Sequence, residues 1–435
     1  MKKHTNSDRE FPTVNCGFEK AGLKSAIRNP QSAIRRAANV LWWLILTLVL
    51  PPPIEAQTVQ IPRVSDLRFS AGVQLVGIYT GGAQADINGD RGLENVANRF
   101  DFSARRARFS ITGRVTEGLD LDFRIVFYYD NLCRDRFTGG RSSPGDGTVG
   151  VWDAFWTWHA QPTWADITMG YFRPQIGREN LTSGFQTNSS MDKLPTQVYQ
   201  RAHTVGRSSG RETGINVGGL RNCSKWGLNY NVGLFDTSHP GVTGQANGGD
   251  LWAPLVVSRV ALSLGQPEMQ SYGIDYQVNY FNRRKGVTLA TAYAWQGANN
   301  AFHRNETVSF DLLANYGGLN LDAELDLLRR RTLSLVQYTD RVWHMRSGYN
   351  IRAPHSTWLE PVVAVMKFRG DRLSALYPNG RDRQLDLGLN WYVRETRVKL
   401  NVHCTRQKGS GVSNYSDGAT FLRGNMVGLG VQLVY

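Results

Sequence analysis

The sequence predicts an all-β fold, a 16-stranded antiparallel transmembrane β-barrel that follows an N-terminal signal peptide. Three observations lead to this prediction: an export-type segment near the N-terminus, runs of about ten residues with alternating hydrophobicity, and a C-terminal run that ends on an aromatic residue. A mean hydropathy of −0.37 is too polar for a protein with several membrane-spanning helices. The apolar run at 37–50 is short for such a helix.

The N-terminal region has the parts of a secretory signal peptide. Arg35 and Arg36 precede the apolar run 37–50, which is followed by three prolines and then by Ala56. A basic region, an apolar region and a small residue at the cleavage point define such a peptide, so we expect cleavage after Ala56. Retention of 37–50 as a membrane anchor is the alternative. The expected division is a leader and signal peptide, a short periplasmic segment and the barrel, at 1–56, 57–66 and 67–435.

Alternating hydrophobicity is clearest in the segments 119–129, 319–327 and 396–404. In 319–327, for example, leucines and alanine alternate with residues such as Asp322 and Glu324. Successive side chains of a strand point to opposite faces, so a period of two places one set toward lipid and the other toward a wet lumen. These segments are therefore predicted to be membrane-spanning strands.

The number of strands follows from the lengths of the connections. Seventeen runs alternate, but a barrel with both ends on the periplasmic side needs an even number. Short periplasmic turns alternate with longer extracellular loops if the run 272–281 belongs to one extended turn, 265–286. Sixteen strands then remain, and 174–210 is a long extracellular connection and a candidate constriction loop.

The C-terminal run carries the most specific local signal. Val427, Leu429, Val431, Leu433 and Tyr435 alternate up to the last residue of the chain. A final strand of this form, ending on an aromatic residue, is what the barrel assembly machinery recognises. The sequence therefore predicts export to the outer membrane of a Gram-negative bacterium.

The charge of the predicted barrel is basic and carried mainly by arginine. Beyond residue 56 there are 36 Arg and six Lys against 32 Asp and Glu. Arginine presents a planar, weakly hydrated cation that binds oxyanions, which favours an anionic solute. The sequence pI of about 9.7 would also suit a nucleic-acid-binding protein, but no recognition helix or zinc-finger pattern is present.

Enzyme, metal and cofactor motifs are not found in the sequence. His159, His203, His344 and His403 occur singly, without a G-x-S-x-G or H-E-x-x-H motif, so no enzyme and no cofactor are expected. The cysteines lack metal-binding spacing and are either unpaired thiols or include a disulfide between the second and third of them. These cysteines are Cys16, Cys133, Cys223 and Cys404.

Seven short segments, taken in order, resemble the phosphate-selective porin O/P family of outer-membrane channels. One of them is FSARRARFSITGRV at 102–115, and another is WDAFWTW at 152–158. The resemblance covers roughly 67–435 and implies a 16-stranded barrel, usually trimeric, with a constriction inside the lumen. The remaining segments lie at 169–174, 230–235, 258–260, 316–325 and 385–393.

Phosphate selectivity in this family rests on an arginine ladder and a lysine-containing constriction loop. Here the candidate loop carries only one lysine, and no binding residue of the family is transferred to a position of this chain. The cationic candidates within 174–210 are Arg178, Lys193, Arg201 and Arg207.

The predicted register places a set of cations in the lumen. A charged side chain at mid-membrane on the lipid face costs ~2–4 kcal/mol, so these cations are assigned inward. Rows of guanidinium groups across a narrow lumen lower the barrier to anions and raise it for cations. The candidates for such an anion pathway are Arg106, Arg108, Arg114, Arg124, Arg259, Arg346, Lys367, Arg397 and Lys399.

Acidic residues share the same lumen-facing register, which leaves two interpretations open. The cations either make the pore anion-preferring, with phosphate as one candidate solute, or form ion pairs that support the wall of a non-selective porin. A structural or adhesive outer-membrane barrel is a third possibility. The inward acidic residues are Asp120, Asp122, Asp311, Asp322, Glu324 and Asp326.

Aromatic residues near strand ends are predicted to face the membrane interface as a girdle, whereas alternation turns Phe155 inward. A sugar-binding slide would instead require these rings in the lumen. Expected partners are outer-membrane lipid and lipopolysaccharide, small anions such as phosphate, and two further copies in a homotrimer; no nucleic acid is expected. The outward aromatic residues are Trp156, Trp158, Tyr171, Trp391 and Tyr435.

Overall fold

The structure is a computed structural model, and its described residues all belong to the compact unit Ala56–Tyr435. The predicted signal peptide, Arg207, Cys16 and Cys133 lie outside the described residues, whereas Cys223 and Cys404 carry free thiols. The structure describes residues 64–85, 94–115, 120–129, 149–161, 163–188, 193–206, 209–237, 251–375, 378–409, 412–413, 420–422 and 424–435.

Sixteen long antiparallel strands form one closed barrel, which confirms the predicted fold and strand number. Each strand pairs with its neighbours in sequence, and the first strand also pairs with the last, where Gly72 lies opposite Val434. The strands are β1 Val64–Gly81, β2 Arg99–Val115, β3 Leu121–Tyr129, β4 Gly150–Gln161, β5 Ala165–Phe172, β6 Glu212–Asn222, β7 Trp226–Asp236, β8 Leu255–Gly265, β9 Gly286–Gln296, β10 Arg304–Tyr316, β11 Leu319–Arg331, β12 Gln337–Tyr349, β13 Thr357–Arg369, β14 Arg381–Arg394, β15 Val398–Gly409 and β16 Asn425–Val434.

The alternation of the sequence corresponds to the two faces of the wall. On β11, Asp322, Glu324 and Asp326 are buried inside the barrel, whereas Leu325 on the opposite face is exposed at the outer surface. Phe155 is buried in the lumen as predicted, and its neighbour Trp156 faces outward. The outward aromatic residues of the predicted girdle all lie on this outer register.

Shorter elements lie outside the barrel wall. Ile351–Ala353 extends the pairing of β13 and is followed by the 3-10 turn Pro354–Ser356. Gln84–Ala85, Glu94–Asn95, Val412–Ser413 and Thr420–Leu422 form a separate four-stranded sheet. None of the helices among the described residues is long and apolar enough to cross a membrane.

Two connections fold into the barrel from opposite ends. The connection between β5 and β6, 173–211, is called the inner loop and contains helices α1 (Arg178–Leu181) and α2 (Thr196–Thr204). The connection between β8 and β9, 266–285, is called the inner turn and contains the run 272–281, which does not span the membrane. Because strand directions alternate, the inner loop enters from the end of the long loops and the inner turn from the end of the short turns.

The inner loop packs against the wall through stacked and hydrogen-bonded side chains. The ring of Tyr199 on α2 stacks on Phe368 of β13 with centroids 3.9 Å apart, and its hydroxyl donates to Asp382 at 2.7 Å. The inner turn packs similarly, because the Tyr272 hydroxyl donates to Asn231 at 2.7 Å. Both connections therefore have fixed positions inside the barrel.

Candidate functional site

The structure places most of the predicted lumen cations on the inner face of the wall. Arg106, Arg259, Arg346 and Lys399 are buried there, in the barrel interior. Arg108, Arg114 and Arg124 lie on the same inner register of β2 and β3 and are partly exposed to the lumen.

Two of the predicted lumen positions are wrong. Lys367 lies on the outer register of β13, opposite the outward Trp343, because the inward positions of β13 from Val362 to Phe368 are apolar and Phe368 packs against the inner loop. Arg397 is exposed in the turn between β14 and β15 rather than on a strand. A lysine near a strand end can extend its ammonium group to the interface, which removes the cost assumed for a charge on the lipid face.

A first set of arginines is neutralised by carboxylates. Arg346 donates to Asp322 through Nε at 2.9 Å and to Glu179 of α1 through Nη2 at 2.8 Å. Arg259 makes a bidentate pair with Asp311, at 2.6 and 3.0 Å. Bidentate, buried pairs of this kind are geometrically specific and hold their elements in place.

Arg178 joins the inner loop to both the wall and the inner turn. Its Nε donates to Asp311 at 3.0 Å, and its Nη2 donates to Glu268 of the inner turn at 2.9 Å. Burial favours the neutral form, but Glu268 and Asp311 outweigh it and raise the pKa of Arg178 above its ordinary value. A backbone bridge between Thr182 and Tyr276 connects the same two segments.

The Glu179, Asp322 and His344 side chains lie close enough to one another to hold a metal ion. However, Arg346 donates to both carboxylates, and His344 Nε2 lies 3.1 Å from Asp322 Oδ2. The guanidinium group thus already supplies the cation that these buried carboxylates need. We therefore assign this group to the ion-pair network.

A second set of cations lies close together, and each of the loop cations in it is repelled by others of the set. The group comprises Arg173, Lys193 and Arg201 of the inner loop together with Arg106 of β2, and is called the basic cluster. Lys193 Nζ donates to two backbone oxygens, those of Glu179 at 2.6 Å and Asn180 at 3.0 Å. These backbone acceptors are neutral, and the negative charge that acts on Lys193 comes from the Glu179 carboxylate.

Burial and neighbouring cations both lower the pKa values of the inner-loop cations. Burial, and next the guanidinium group of Arg211, lowers the pKa of Arg173 to about 9. Burial also lowers the pKa of Lys193 well below its ordinary value, and Arg173 and Arg201 lower it further. The pKa of Arg201 is lowered by burial and by Arg173 in the same way. The charged form of each is therefore stabilised by any anion that enters the cluster.

Hydrogen bonds and a close backbone approach fix the basic cluster. Arg173 Nη1 donates to the Leu181 carbonyl at 2.9 Å, while its buried Nε has no hydrogen-bond partner among the described residues. A Cβ atom on Gly184 would lie 2.7 Å from Nε of Arg106, so a larger residue at this position would require the Arg106 side chain to move. An unpartnered buried N–H is a donor that an anion could use.

Trp152 lies between two further arginines at the edge of the basic cluster. The Cζ atom of Arg211 lies 3.8 Å from one ring centroid of Trp152, and that of Arg108 lies 4.3 Å away. Arg211 also donates to Asp153 at 2.7 Å. The indole ring thus positions two guanidinium groups at the edge of the cluster.

A cavity of about 490 Å³ lies nearer the periplasmic end, and its charges are balanced. Arg114 makes a bidentate pair with Asp122 at 2.6 and 3.0 Å, and Arg124 pairs with Asp275 of the inner turn. The excess of positive charge is therefore concentrated at the inner loop.

Comparison with known families and structures agrees with this geometry. The family model described as phosphate-selective porin O and P matches residues 78–295, which is half of the chain. The chain belongs to this family. A comparison with curated protein sequences finds no match.

Solved structures similar to this porin are outer-membrane channels at low sequence identity, so they bear on its fold. The anion-selective porin from Comamonas acidovorans has 11% identity and a TM-score of 0.54, with 86% of this chain and 100% of that chain covered. The channel DcaP of Acinetobacter baumannii has 12% identity and a TM-score of 0.52, with 88% and 100% covered. OmpF of Salmonella typhi has 10% identity and a TM-score of 0.52, with 87% and 100% covered. Family and fold are thus those of channel proteins.

Sequence reasoning missed two cations of this porin that lie next to the predicted loop. Arg173 and Arg211 each fall one residue outside the predicted bounds 174–210. They follow β5 and precede β6, where the strands pass into the inner loop. Strand alternation alone would not have found them, because the inward residues Asp166 and Thr168 of β5 and Asn216 of β6 are even-numbered, and both arginines have the opposite parity.

Proposed function

We propose that this porin is a passive, water-filled channel of the Gram-negative outer membrane that prefers small anions. The basic cluster carries this proposal, because it concentrates buried cations on a loop inside the lumen. The arginines paired with Asp311, Asp322 and Glu179 add no net charge, which leaves the cluster as the main electrostatic feature of the inner loop.

Closely spaced cations favour the entry of anions into the lumen and their binding at the inner loop. An anion that approaches the inner loop gains attraction in a region of reduced dielectric, while a cation meets a barrier. The gain is limited because a solute that binds too tightly cannot leave, and backbone oxygens already accept hydrogen bonds from Lys193 and Arg173. The expected outcome is preference with passage rather than tight capture.

The deciding measurement is the reversal potential of the purified porin in a planar bilayer under a salt gradient. We expect the sign of the reversal potential to show that chloride is more permeable than potassium. Preference for potassium would contradict the proposal, and a complete lack of conductance would favour a structural or adhesive barrel. Equal permeability would favour a general porin whose lumen charges are structural.

Phosphate is the specific anion that we propose for this channel. The printed description of the family names phosphate, and arginines bind its oxygens bidentately. Inorganic phosphate added to a chloride solution should reduce the chloride current at millimolar concentration or below, because the two anions share the basic cluster. An unchanged current would leave a chloride-permeable channel without a phosphate site.

We also propose a homotrimer. OmpT of Vibrio cholerae, whose trimer form is among the similar structures at a TM-score of 0.50 and 8% identity, supports this assembly. Native mass spectrometry in mild detergent should give three times the monomer mass. A monomer at low detergent would contradict the assembly without affecting the proposed selectivity.

A further inference from the structure

Two carboxylates on the inner face of β11 lack the cation that their neighbour has. Asp322 pairs with Arg346, whereas Glu324 and Asp326 form no ion pair among the described residues. Asp326 has no exposed surface, and Glu324 is 3% exposed. Burying carboxylates without compensation is costly, so these two need either protons or a cation from outside the chain.

The basic residue opposite this pair is engaged elsewhere. His344 of β12 lies directly opposite Glu324 in the strand register. Its Nε2 lies 3.1 Å from Asp322 Oδ2, and its Nδ1 lies 3.1 Å from the hydroxyl of Thr196 on α2. The backbone N–H of Glu179 donates to Glu324 Oε2 at 2.7 Å, but this donor is neutral. The negative charge of the pair is therefore not balanced by the surrounding contacts.

Four side chains bring oxygen atoms together at this point, and we call them the oxygen cluster. They are Glu324 and Asp326, Ser309 of β10, and Gln200 of α2. Ser309 lies directly opposite Asp326 in the register, and the Gln200 amide lies beside both carboxylates, with Nε2 3.5 Å from Glu324 Oε1. Both Asp326 oxygens, Ser309 Oγ and Gln200 Oε1 are buried without a hydrogen-bond partner among the described residues. Buried polar atoms are rarely left in this state, so the cluster points to a ligand.

The donor set of the oxygen cluster identifies the class of ligand. Its unpartnered atoms are all oxygens, from a carboxylate, a hydroxyl and an amide, and these repel an anion. Ca²⁺ accepts oxygen ligands of these kinds in a flexible geometry, whereas Mg²⁺ demands near-ideal octahedral geometry and retains several waters. Thiolate and imidazole ligands, which softer metals prefer, do not occur among the four side chains. The two carboxylates together balance the charge of one divalent cation.

The cluster lies where the inner loop meets the wall. Gln200 belongs to α2, and this helix is also connected to β10 through the Thr204 and Thr307 hydroxyls, which lie 2.7 Å apart. Glu324 and Asp326 are alternate residues of one strand and share its inner face. A cation bound here therefore has ligands from three elements, and it fastens α2 to β10 and β11.

We propose that the oxygen cluster is a binding site for a single calcium ion, which stabilises the inner loop against the wall. This inference goes beyond the proposed channel function, and it does not require the channel to prefer anions.

The test is a calorimetric titration of the EDTA-treated porin in detergent with calcium chloride. We expect the wild type to bind a single ion per chain. The variant Glu324→Gln/Asp326→Asn removes both charges with little change of shape and should weaken binding on the order of 100-fold or more, because Ca²⁺ affinity follows the number of ligand charges. The matched control Asp122→Asn/Asp275→Asn removes two lumen carboxylates that already pair with arginines, and it should bind like the wild type.

A second variant tests whether α2 supplies a ligand. Gln200→Glu replaces the amide oxygen with a third carboxylate, so it should bind Ca²⁺ roughly tenfold more tightly than the wild type. In EDTA the same variant should unfold at a lower temperature than the wild type, because three carboxylates then repel one another. Unchanged or weaker Ca²⁺ binding by Gln200→Glu would contradict the assignment of α2 to the site.

Three results would overturn the calcium site as a whole. They are no Ca²⁺ binding by the wild type, equal binding by the wild type and Glu324→Gln/Asp326→Asn, and an equal loss in the control variant. If the double variant does not fold, Asp326→Asn alone should give an intermediate loss of affinity, and no loss would contradict the site. Because binding is measured without conductance, failure here is distinguishable from failure of the proposed anion preference.

Discussion

Two arginines of the inner loop occupy opposite electrostatic environments. Arg178 of α1 lies between Glu268 and Asp311, and these carboxylates raise its pKa. Arg201 of α2 lies near Arg173, and burial together with this neighbour lowers its pKa. The same loop thus carries one arginine whose charged form is stabilised by the wall and another whose charged form is destabilised by its surroundings. Comparing the two separates the charges that build the pore from those that act on solutes.

The comparison extends to the lumen as a whole. Along the wall from β8 to β12, Arg346 pairs with Asp322 and Arg259 with Asp311, whereas Arg330 donates to Asn305 and to the His203 carbonyl. The basic cluster lies where the inner loop approaches β2. We therefore propose that the two interpretations left open by the sequence apply to different residues of one channel.

The largest effect is expected when a paired arginine is removed. Arg346→Met leaves Asp322 and Glu179 buried without their cation, and breaking a buried pair on one side costs about 3–5 kcal/mol. We expect the barrel in detergent to unfold at a lower denaturant concentration. Tryptophan fluorescence measures this midpoint.

The matched control is Arg173→Met, which removes a buried guanidinium group that makes no ion pair with a carboxylate of the described residues and should leave the midpoint unchanged or raised. If Arg346→Met does not fold, Arg346→Met/Asp322→Asn should recover part of the loss, since it also removes one buried carboxylate. Equal midpoints for the two single variants would remove the distinction between paired and clustered cations.

The next largest effect should come from the basic cluster. In Lys193→Gln/Arg173→Gln, the ratio of chloride to potassium permeability should fall by roughly two- to fivefold for each charge, equivalent to about 0.5–1 kcal/mol of lost attraction. Reversal potentials of reconstituted channels measure this ratio. An unchanged permeability ratio would mean that Lys193 and Arg173 have a structural role only. The ratio measured for Arg346→Met/Asp322→Asn serves as the reference.

A smaller, graded effect is expected from pH. The lowered pKa values of Lys193 and Arg173, the latter about 9, mean that these groups lose their protons at lower pH than in the unfolded chain. Anion preference should therefore decrease as the pH rises from neutral to about 10, while the free energy of unfolding increases over the same range because the unfolded state binds more protons.

The variant Lys193→Gln/Arg173→Gln is the control for this pH dependence, and it should lack most of the decrease in reversal potential. If the reversal potential of the variant decreased with pH as much as that of the wild type, other groups would be responsible for the pH dependence.

Much of the fold was predictable because a period of two is a local property. The alternation of Asp322, Leu325 and Asp326 on β11 fixes both the strand and its inner face. The same rule fails on β13, where Val362 and Val363 are both apolar although one faces inward and the other outward. There the inner loop supplies an apolar neighbour, and no local pattern shows it.

The candidate site was less predictable because its contacts join distant segments. Arg178 meets Glu268 and Arg346 meets Glu179 through folding of the inner loop and inner turn. The sequence indicated which residues carry charge, and the run 272–281 was correctly kept out of the strand count. It did not indicate which cation would find a carboxylate, since this depends on tertiary structure.

The smallest effect should distinguish two lysines that the sequence treated alike. Lys399 is buried inside and donates to the Thr187 carbonyl of the inner loop at 3.1 Å, whereas Lys367 lies on the outer wall. Lys367→Gln should leave the reversal potential unchanged within error, because water and the wall separate its charge from the permeating ion. Lys399→Gln should lower the chloride preference measurably in the same bilayer assay. A shift caused by Lys367→Gln would mean that charge outside the barrel also acts on the solute, and the comparison would then have to include both faces of the wall.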